Sequence, residues 1–578
     1  MKKISGNKLL VKALSEEQVD TIFGYPGACT IDISDELYKQ DYTKVILPRQ
    51  EVALVHEADA YARSTGKVGV CLVTSGPGAT NLVTGLATAY YDSVPLVCFT
   101  GQVSRHLIGN DAFQEVDIIG VTRNIAKFVI MVRDREMLAQ RIKEAFYIAR
   151  SGKPGPVLVD LPTDVMAELG STSYPTEVNI RGYKPNKGVH VGQLKKAITL
   201  LEEAKKPMFL IGGGVNLAHA QQEMTKLAEK IDAPVITTVM GRGAISTEHP
   251  LYIGNIGMHG SYAANKTADE CDLMFSIGCR FNDRVTGEIK KFAPNAKIVH
   301  IDIESAAISR NVTVDIPIVA DAKAAILKIL EHTEPMEHKE WLDEIQGWDK
   351  EYPLQMEVKD GVNPQRIIET LNEVYADRDT VFTSDVGQHQ MWASQYLKLD
   401  ATHRLVQSGG LGTMGFGLPS AVGAQIGCPE KSIVSISGDG GFQMNMQELA
   451  TAVCQELPLV NIVFNNNRLG MVRQMQELFF KKRYTITCLR YHKSCKGKCG
   501  TPGWVCPEYV PDFVKMAEAY GTKGYFVTED EQLRDTILEA RDYAEKNKKP
   551  VIVECMVAPD ELVMPMIKGG ASFEDIML

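Results

Sequence analysis

Short apolar, β-branched blocks recur along the chain, and each ends in Gly, Asp or Asn. KVGVCLVTSG, VPLVCFTGQ, PMFLIGGG, DLMFSIGC, KIVHIDIE, TVFTSDVG, SIVSISGDG and VNIVFNNN are examples. Helix-length segments lie between them. Strands that are apolar almost throughout, alternating with helices, predict parallel sheets covered on both faces. At the N-terminus, Leu9, Leu10, Ala13, Leu14 and Val19 fall on one side of a predicted amphipathic helix. Two polar stretches interrupt the pattern. Residues 168–190 carry Gly and Pro and read as a linker; residues 332–362 are charge-rich and read as a partly helical connection. The expected fold is α/β, with three doubly wound parallel-sheet domains at 1–167, 188–335 and 363–555, and a tail at 556–578.

Length and composition agree with several soluble domains. The chain has 578 residues and a net charge of −10, which argues against a general nucleic-acid binder. No apolar run approaches the roughly 20 residues of a membrane span. The basic N-terminus lacks the apolar stretch of a signal peptide, so a cytoplasmic location is expected. Eight of the 12 cysteines lie scattered in apolar runs and read as buried small hydrophobes. The other four, Cys488, Cys495, Cys499 and Cys506, are clustered.

The sharpest chemical signal is GDGGFQMN at Gly438–Asn445, followed by Asn465 and Asn466. Each motif follows a strand-like run. Neighbouring parallel strands would set Asp439 and Asn466 side by side at their carboxyl ends, where open α/β sheets bind ligands. A carboxylate and an amide oxygen suit Mg²⁺, which usually bridges protein to phosphate. Glycines let the backbone approach a diphosphate. This pattern is similar to the metal–diphosphate motif of thiamine diphosphate enzymes.

Thiamine chemistry also needs a carboxyl group on a ring nitrogen of the aminopyrimidine. Glu51, between a strand-like run and an amphipathic helix, is the candidate; alone it would read as an ordinary helix-starting glutamate. Thr74–Asn81 (TSGPGATN) suits a close backbone approach. Phe113 and Gln114 lie on a loop after a strand.

From about residue 5 to 575 the chain resembles the catalytic subunit of acetohydroxyacid synthase (acetolactate synthase). The matching stretches include FGYPG, VTSGPGATNLVTGLATAYYDSVPLVCFTGQV, DAFQE, GMHG, RFNDRVTG, SDVGQHQMWA, SGGLGTMGFGLPSAVGAQIG, GDGGFQMNMQELATAV and LGMVRQMQELFF. The resemblance implies condensation of pyruvate with a second 2-oxo acid, pyruvate or 2-oxobutyrate, with loss of CO₂. Glu51 would be the cofactor-activating acid. Thiamine diphosphate would be held by Gln114, Val386, Gly387, Gln388, His389, Gly412, Met414, Gly438, Gly440, Gly441, Leu469, Gly470 and Met471. Asp439, Asn466 and the Arg468 carbonyl would hold Mg²⁺. A structural FAD would lie on Gly212, Gly213, Gly214, Thr238, Met240, Gly241, His259, Arg280, Asp302 and Asp321. Phe113, Met258, Arg284 and Met475 would meet substrate, Arg284 through the fork that a guanidinium offers a carboxylate. A homodimer or homotetramer is implied, because Glu51 of one subunit would meet Asp439 and Asn466 of another. The resemblance also allows a small regulatory subunit, although no docking surface for one is legible. The rival readings are another thiamine-dependent 2-oxo acid decarboxylase or catabolic acetolactate synthase, and a flavoenzyme like pyruvate oxidase.

Departures from the family cluster around the active-site channel. Gln50 replaces a histidine, Ala28 and Cys29 a glycine–alanine pair, Ser104 a proline and Thr163 a lysine. In the FAD set, Lys153 replaces an arginine and Asn282 an aspartate. Met475 stands where the family has a tryptophan that favours 2-oxobutyrate, so weaker selectivity and poor sulfonylurea inhibition are expected. An insertion, TITCLRYHKSCKGKCGTPGWVCPEY, carries the four clustered cysteines and His492. Four thiolates can hold Zn²⁺ or an iron–sulfur cluster. A redox dithiol and a basic loop with free cysteines are the alternatives, and the basic loop is the leading reading.

Overall fold

A computed structural model describes residues 3–186, 188–358, 361–493, 495, 506 and 508–578. Three six-stranded sheets, each parallel throughout, dominate it.

The first sheet contains β1 (Thr21–Tyr25), β2 (Lys44–Ile46), β3 (Gly69–Val73), β4 (Leu96–Gln102), β5 (Phe128–Met131) and β6 (Val157–Pro162). Its spatial order is β2-β1-β3-β4-β6-β5. The second contains β7 (Pro207–Ile211), β8 (Val235–Thr237), β9 (Tyr252–Asn255), β10 (Leu273–Ile277), β11 (Lys297–Asp302) and β12 (Ile316–Val319), in the order β9-β8-β7-β10-β11-β12. The third contains β13 (Thr380–Ser384), β14 (His403–Gln407), β15 (Ser432–Gly438), β16 (Leu459–Asn465), β17 (Lys523–Val527) and β18 (Val551–Met556), in the order β14-β13-β15-β16-β18-β17. The first and third sheets therefore share one topology. The second has the strand order of dinucleotide-binding folds. The central strands are buried along their length, as expected for sheets covered on both faces.

Helix α1 (Gly6–Glu16) buries Leu9, Leu10, Ala13 and Leu14. It ends before Val19, which is buried in the connection; Gln18 at φ 59° turns the chain out of the helix. The linker begins with two residues, Leu169–Gly170, paired antiparallel to Ile4–Ser5. A helix at Lys339–Glu351 occupies the second connection.

Helix α2 (Glu51–Thr65) opens under a Gln50 cap and ends at Gly66, whose φ of 74° a β-carbon would oppose. It is buried on nearly every side, because α3 (Val83–Asp92) flanks it and α4 (Gly417–Gly427) crosses it from the third domain. A Cβ on Gly423 would stand 1.9 Å from the Glu57 carbonyl oxygen, so the two helix backbones almost touch.

Two of the scattered cysteines are not core residues. Cys454 is exposed, at the end of a helix, and Cys29 is half-buried in a turn. No described helix is long and apolar enough to cross a membrane.

Candidate active site

The third sheet builds its site at the switch point between β13 and β15, where ligands bind in open α/β sheets. The chain leaves β13 at Asp385, which is fully buried. This carboxylate accepts the N–H of Val386 (2.7 Å), Gly415 (3.0 Å) and Gly417 (2.9 Å). A Cβ on Gly441 would lie 2.3 Å from its Oδ1. One side chain thus ties together the Val386–His389 turn, the Met414 loop and the GDG turn. Burial pushes its pKa up to about 6, against the opposing pull of the three donors.

His389 lies against Gly387 and Gly438, where added Cβ atoms would each fall 2.8 Å from its ring. Burial lowers its pKa to about 3, so it is neutral at working pH. Its Nε2 is buried with no hydrogen-bond partner. Asp439 is likewise buried: Oδ1 accepts the Gly440 N–H at 2.9 Å, and Oδ2 has no partner. Burial raises its pKa to about 8.

Gly438 pairs with Phe464 in the β15–β16 ladder, which brings Asn466 beside Asp439. The Asn466 amide donates to Gln388 Oε1 (3.3 Å) and its oxygen accepts the Arg468 N–H (3.1 Å). Gln388 is held in turn by Gln474 (2.9 Å) and the Glu561 carbonyl (2.8 Å). Helix α6, counting α5 as Glu448–Cys454, spans Gly470–Phe479 and carries Met471 and Met475. Two orphaned buried polar atoms, Asp439 Oδ2 and His389 Nε2, and a ring of glycines are what a divalent cation and a diphosphate would complete.

The leading end of the inserted segment grips the loop of residues 466–469. The Leu469 N–H bonds the Thr487 carbonyl at 2.8 Å, and Leu489 N–H the Asn467 carbonyl at 2.9 Å. Cys488 consequently bridges Arg468. Tyr509, held by Gln443 at 2.6 Å, stands beside Asp439. Among the described residues, no three His, Cys, Asp or Glu side chains converge on a metal position. Cys499 of the proposed four-cysteine set lies outside the described residues.

In the first domain, Glu51 is half-buried at the start of α2 and accepts the Asn81 amide at 2.9 Å. Gln50, the replaced histidine, caps α2 by accepting the Val52 and Ala53 N–H groups. Gly76 packs against the Gln114 backbone: a Cβ there would meet its carbonyl oxygen at 2.8 Å. Gln114 adopts a φ of 59° and Phe113 is 86% exposed. Ser104 and Thr163, two of the departures, hydrogen-bond each other at 3.0 Å.

The second sheet has its own switch point between β7 and β10. Gly212 and Gly214 press on Gly278, where Cβ atoms would fall 2.1 Å and 2.7 Å from its backbone. Thr238 caps Gly241, and Asp321 caps the helix that follows it. Burial raises Asp302 to about 6 and lowers His259 to about 4, with His259 Nδ1 unpartnered. The Arg284 side chain is 63% exposed.

A cavity of about 1560 Å³ runs from Gly212–Gly214, Thr238, Met240, His259, Arg280, Asp302 and Asp321 to Val386, Gly387, Gly412, Met414 and Met471. Met258, Arg284 and Met475 line it too. Its volume exceeds the roughly 300–1,000 Å³ of a single-ligand pocket. Glu51, Phe113, Gln114, Asp439 and Asn466 are not among its walls.

Sequence reasoning missed three contributors. Asp385 sits in the quoted SDVGQHQ stretch but reads as a strand end. Asn81 closes the TSGPGATN motif, and only folding aims it at Glu51. In the C-terminal tail, Ile567 N–H bonds the Met258 carbonyl at 2.8 Å, and a Cβ on Gly569 would lie 3.4 Å from Arg284 Nη1. Nothing in the tail's composition signals that contact.

The chain matches three family models: the N-terminal TPP binding domain of thiamine pyrophosphate enzymes at residues 4–121, their central domain at 194–329 and their C-terminal TPP binding domain at 385–555. It is 41% identical to the acetolactate synthase isozyme 3 large subunit of Escherichia coli, covering 99% of this chain and 98% of that protein. It is 42% identical to the probable acetolactate synthase large subunit of Methanocaldococcus jannaschii, covering 99% and 95%. It is 42% identical to the acetolactate synthase large subunit of Corynebacterium glutamicum, covering 99% and 90%.

Proposed function

The chain belongs to the acetolactate synthase large-subunit family of thiamine pyrophosphate enzymes, and from that premise we propose that it joins pyruvate to a second 2-oxo acid with loss of CO₂. The products are 2-acetolactate from two pyruvates and 2-aceto-2-hydroxybutyrate from pyruvate and 2-oxobutyrate, both steps of branched-chain amino acid biosynthesis. Thiamine diphosphate supplies the electron sink for the decarboxylated carbon. Everything else falls to the protein.

The observation that carries this reading is the buried pair Asp439 and Asn466 at the β15–β16 edge, with Asp439 Oδ2 lacking any partner. Asp439, Asn466 and the Arg468 carbonyl hold Mg²⁺. The diphosphate would be held by Gly438, Gly440 and Gly441, with the unpartnered Nε2 of the neutral His389 beside it. Met414 props the bent cofactor; its Cε lies 3.6 Å from a Cβ position on Gly440. Glu51, oriented by Asn81, holds the proton at the aminopyrimidine nitrogen, and Gln114 contacts the same ring. Arg284 takes the carboxylate of the second 2-oxo acid between Met258, Phe113 and Met475.

FAD fills the cavity of the second domain, whose strand order and glycine-lined switch point suit a dinucleotide. Its role is structural, since the condensation involves no net redox change. Glu51 lies outside the walls that carry Met414 and Met475. A second copy of the chain would supply the missing face, so a homodimer is the smallest active unit. Relatives named as large subunits favour a small regulatory partner as well.

The test is product analysis with pyruvate alone and with pyruvate plus 2-oxobutyrate, omitting thiamine diphosphate, Mg²⁺ or FAD in turn. Acetolactate that depends on the first two is expected. Acetaldehyde, or reduction of an electron acceptor without acetolactate, would move the chain to a decarboxylase or an oxidase.

A further inference from the structure

Two carboxyl groups meet where the first and third domains pack together. Glu57 lies on α2 and Glu448 opens α5, and both are fully buried. Glu448 is well supplied with donors. Its two oxygens accept the Arg49 backbone N–H at 3.0 and 3.1 Å, and Oε2 accepts the Thr451 hydroxyl at 2.6 Å. Glu57 is not: neither of its oxygens faces an N–H or O–H donor. Helix α4 offers none, because Gly423 brings bare backbone against the Glu57 carbonyl. The polar group within its reach is the Glu448 carboxyl.

Few other charges face this pair. The Arg49 guanidinium is attracted to it but is spent on the Leu47 carbonyl (2.6 Å) and Cys454 Sγ (3.4 Å). The Cys71 thiol on β3 is kept neutral by its own burial. Asp59, farther along α2, is paired with Arg63 at 2.7 Å. Two carboxylates side by side without water cannot both be ionised.

We infer that Glu57 and Glu448 share one proton, and that this acid–carboxylate pair is a positioning device for Glu51. Glu57 donates its O–H to Glu448. Glu448 in turn holds the Arg49 N–H, two residues before Glu51 at the turn into α2. This rests on the reading of Glu51 as the cofactor-activating acid. Loss of the shared proton at alkaline pH puts two like charges in the interface and pulls Glu448 away from Arg49.

The sign follows from linkage. Burial and Glu448 raise the Glu57 pKa well above the ordinary carboxylate value, so the folded state binds the extra proton. The stabilisation is complete below the unfolded pKa and is lost as pH rises through the folded one. Activity should therefore fall on the alkaline side.

The experiment uses the full chain with its cofactors, as wild type, Glu57→Gln and Glu57→Leu. The first readout is the infrared difference between the wild type and Glu57→Gln, which should show the band of one buried protonated carboxyl that only the wild type carries. The second is kcat against pH. The glutamine amide donates to Glu448 without titrating, so neutral-pH kcat should hold while the alkaline half-loss moves up by about one pH unit or more. Glu57→Leu, which removes the donor, should lower kcat roughly tenfold with little change in KM. A wild type lacking that band, or a Glu57→Gln alkaline limb identical to the wild type's, would overturn the inference. Should Glu57→Gln not fold, Glu57→Leu supplies the difference spectrum instead. The band is read without turnover, so it stands or falls separately from the role of Glu51.

Discussion

At the carboxyl edge of the third sheet, Asp385, His389, Asp439 and Asn466 are buried, and two of their polar atoms point at nothing. At the corresponding edge of the first sheet, Glu51 and Gln114 are half-exposed and Phe113 is almost fully exposed. The strand order is the same in both. Topology alone therefore does not decide what an edge can do. The third edge is a finished cradle whose orphaned groups carry a desolvation penalty that a cation and a phosphate would relieve. The first is an open surface that presents one carboxyl, half-exposed, at the start of α2.

Four substitutions probe that difference, in falling order of effect. Glu51→Gln removes the carboxyl group from the open edge. It should lower kcat by about 10²–10⁴-fold while cofactor binding, followed by calorimetry, stays close to wild type. Equal losses of binding and turnover would make Glu51 a structural residue. Asp439→Asn removes the charge from the closed edge. The half-saturating Mg²⁺ concentration should rise at least about tenfold, with thiamine diphosphate binding weakened in parallel. An unchanged Mg²⁺ titration would place the cation elsewhere.

Asp385→Ala tests whether the cradle is built by one side chain. It strands the N–H groups of Val386, Gly415 and Gly417, which should cost about 1–3 kcal/mol and lower Tm, measured without cofactor. A wild-type Tm would mean the loops hold themselves. Met475→Trp gives the smallest change. A rigid wall in place of a flexible methionine should raise the preference for 2-oxobutyrate over pyruvate by about 1–3 kcal/mol in a competition assay, with little effect on total rate. No change in product ratio would move selectivity to other walls of the cavity.

Legibility differed by residue. Asp439 and Asn466 could be placed from sequence because each ends an unmistakable strand, and adjacent parallel strands leave their C-terminal residues little choice of position. The glycines could be read because a backbone contact excludes every other residue, as the 2.1 Å clash at Gly212 illustrates. Val19 was misplaced because periodicity does not register where a turn stops a helix. Cys454 was called core from its apolar neighbours in ELATAVC, yet its position at the end of α5 leaves it exposed. Asn81, Asp385 and the tail at Ile567–Gly569 stayed silent. Each acts on a partner tens to hundreds of residues away, and no local pattern encodes that separation.

What the sequence by itself determined was the set of strands, their parallel character, the family and the adjacent placement of Asp439 and Asn466 at two strand ends. All of these follow from local composition and from motifs confined to one strand end. Only the tertiary structure decided which of those ends are sealed and which are open, and that both Glu57 oxygens, beside Glu448, are buried without a hydrogen-bond partner. It also tied the leading end of the cysteine-bearing insertion to Asn467 and Leu469, and Tyr509 at its other end to Gln443. Burial is a property of what packs on a residue rather than of the residue. The third domain's elements bury Asp385, His389, Asp439 and Asn466 at its edge, while Glu51 and Gln114 at the first domain's edge stay partly exposed and Phe113 almost fully so.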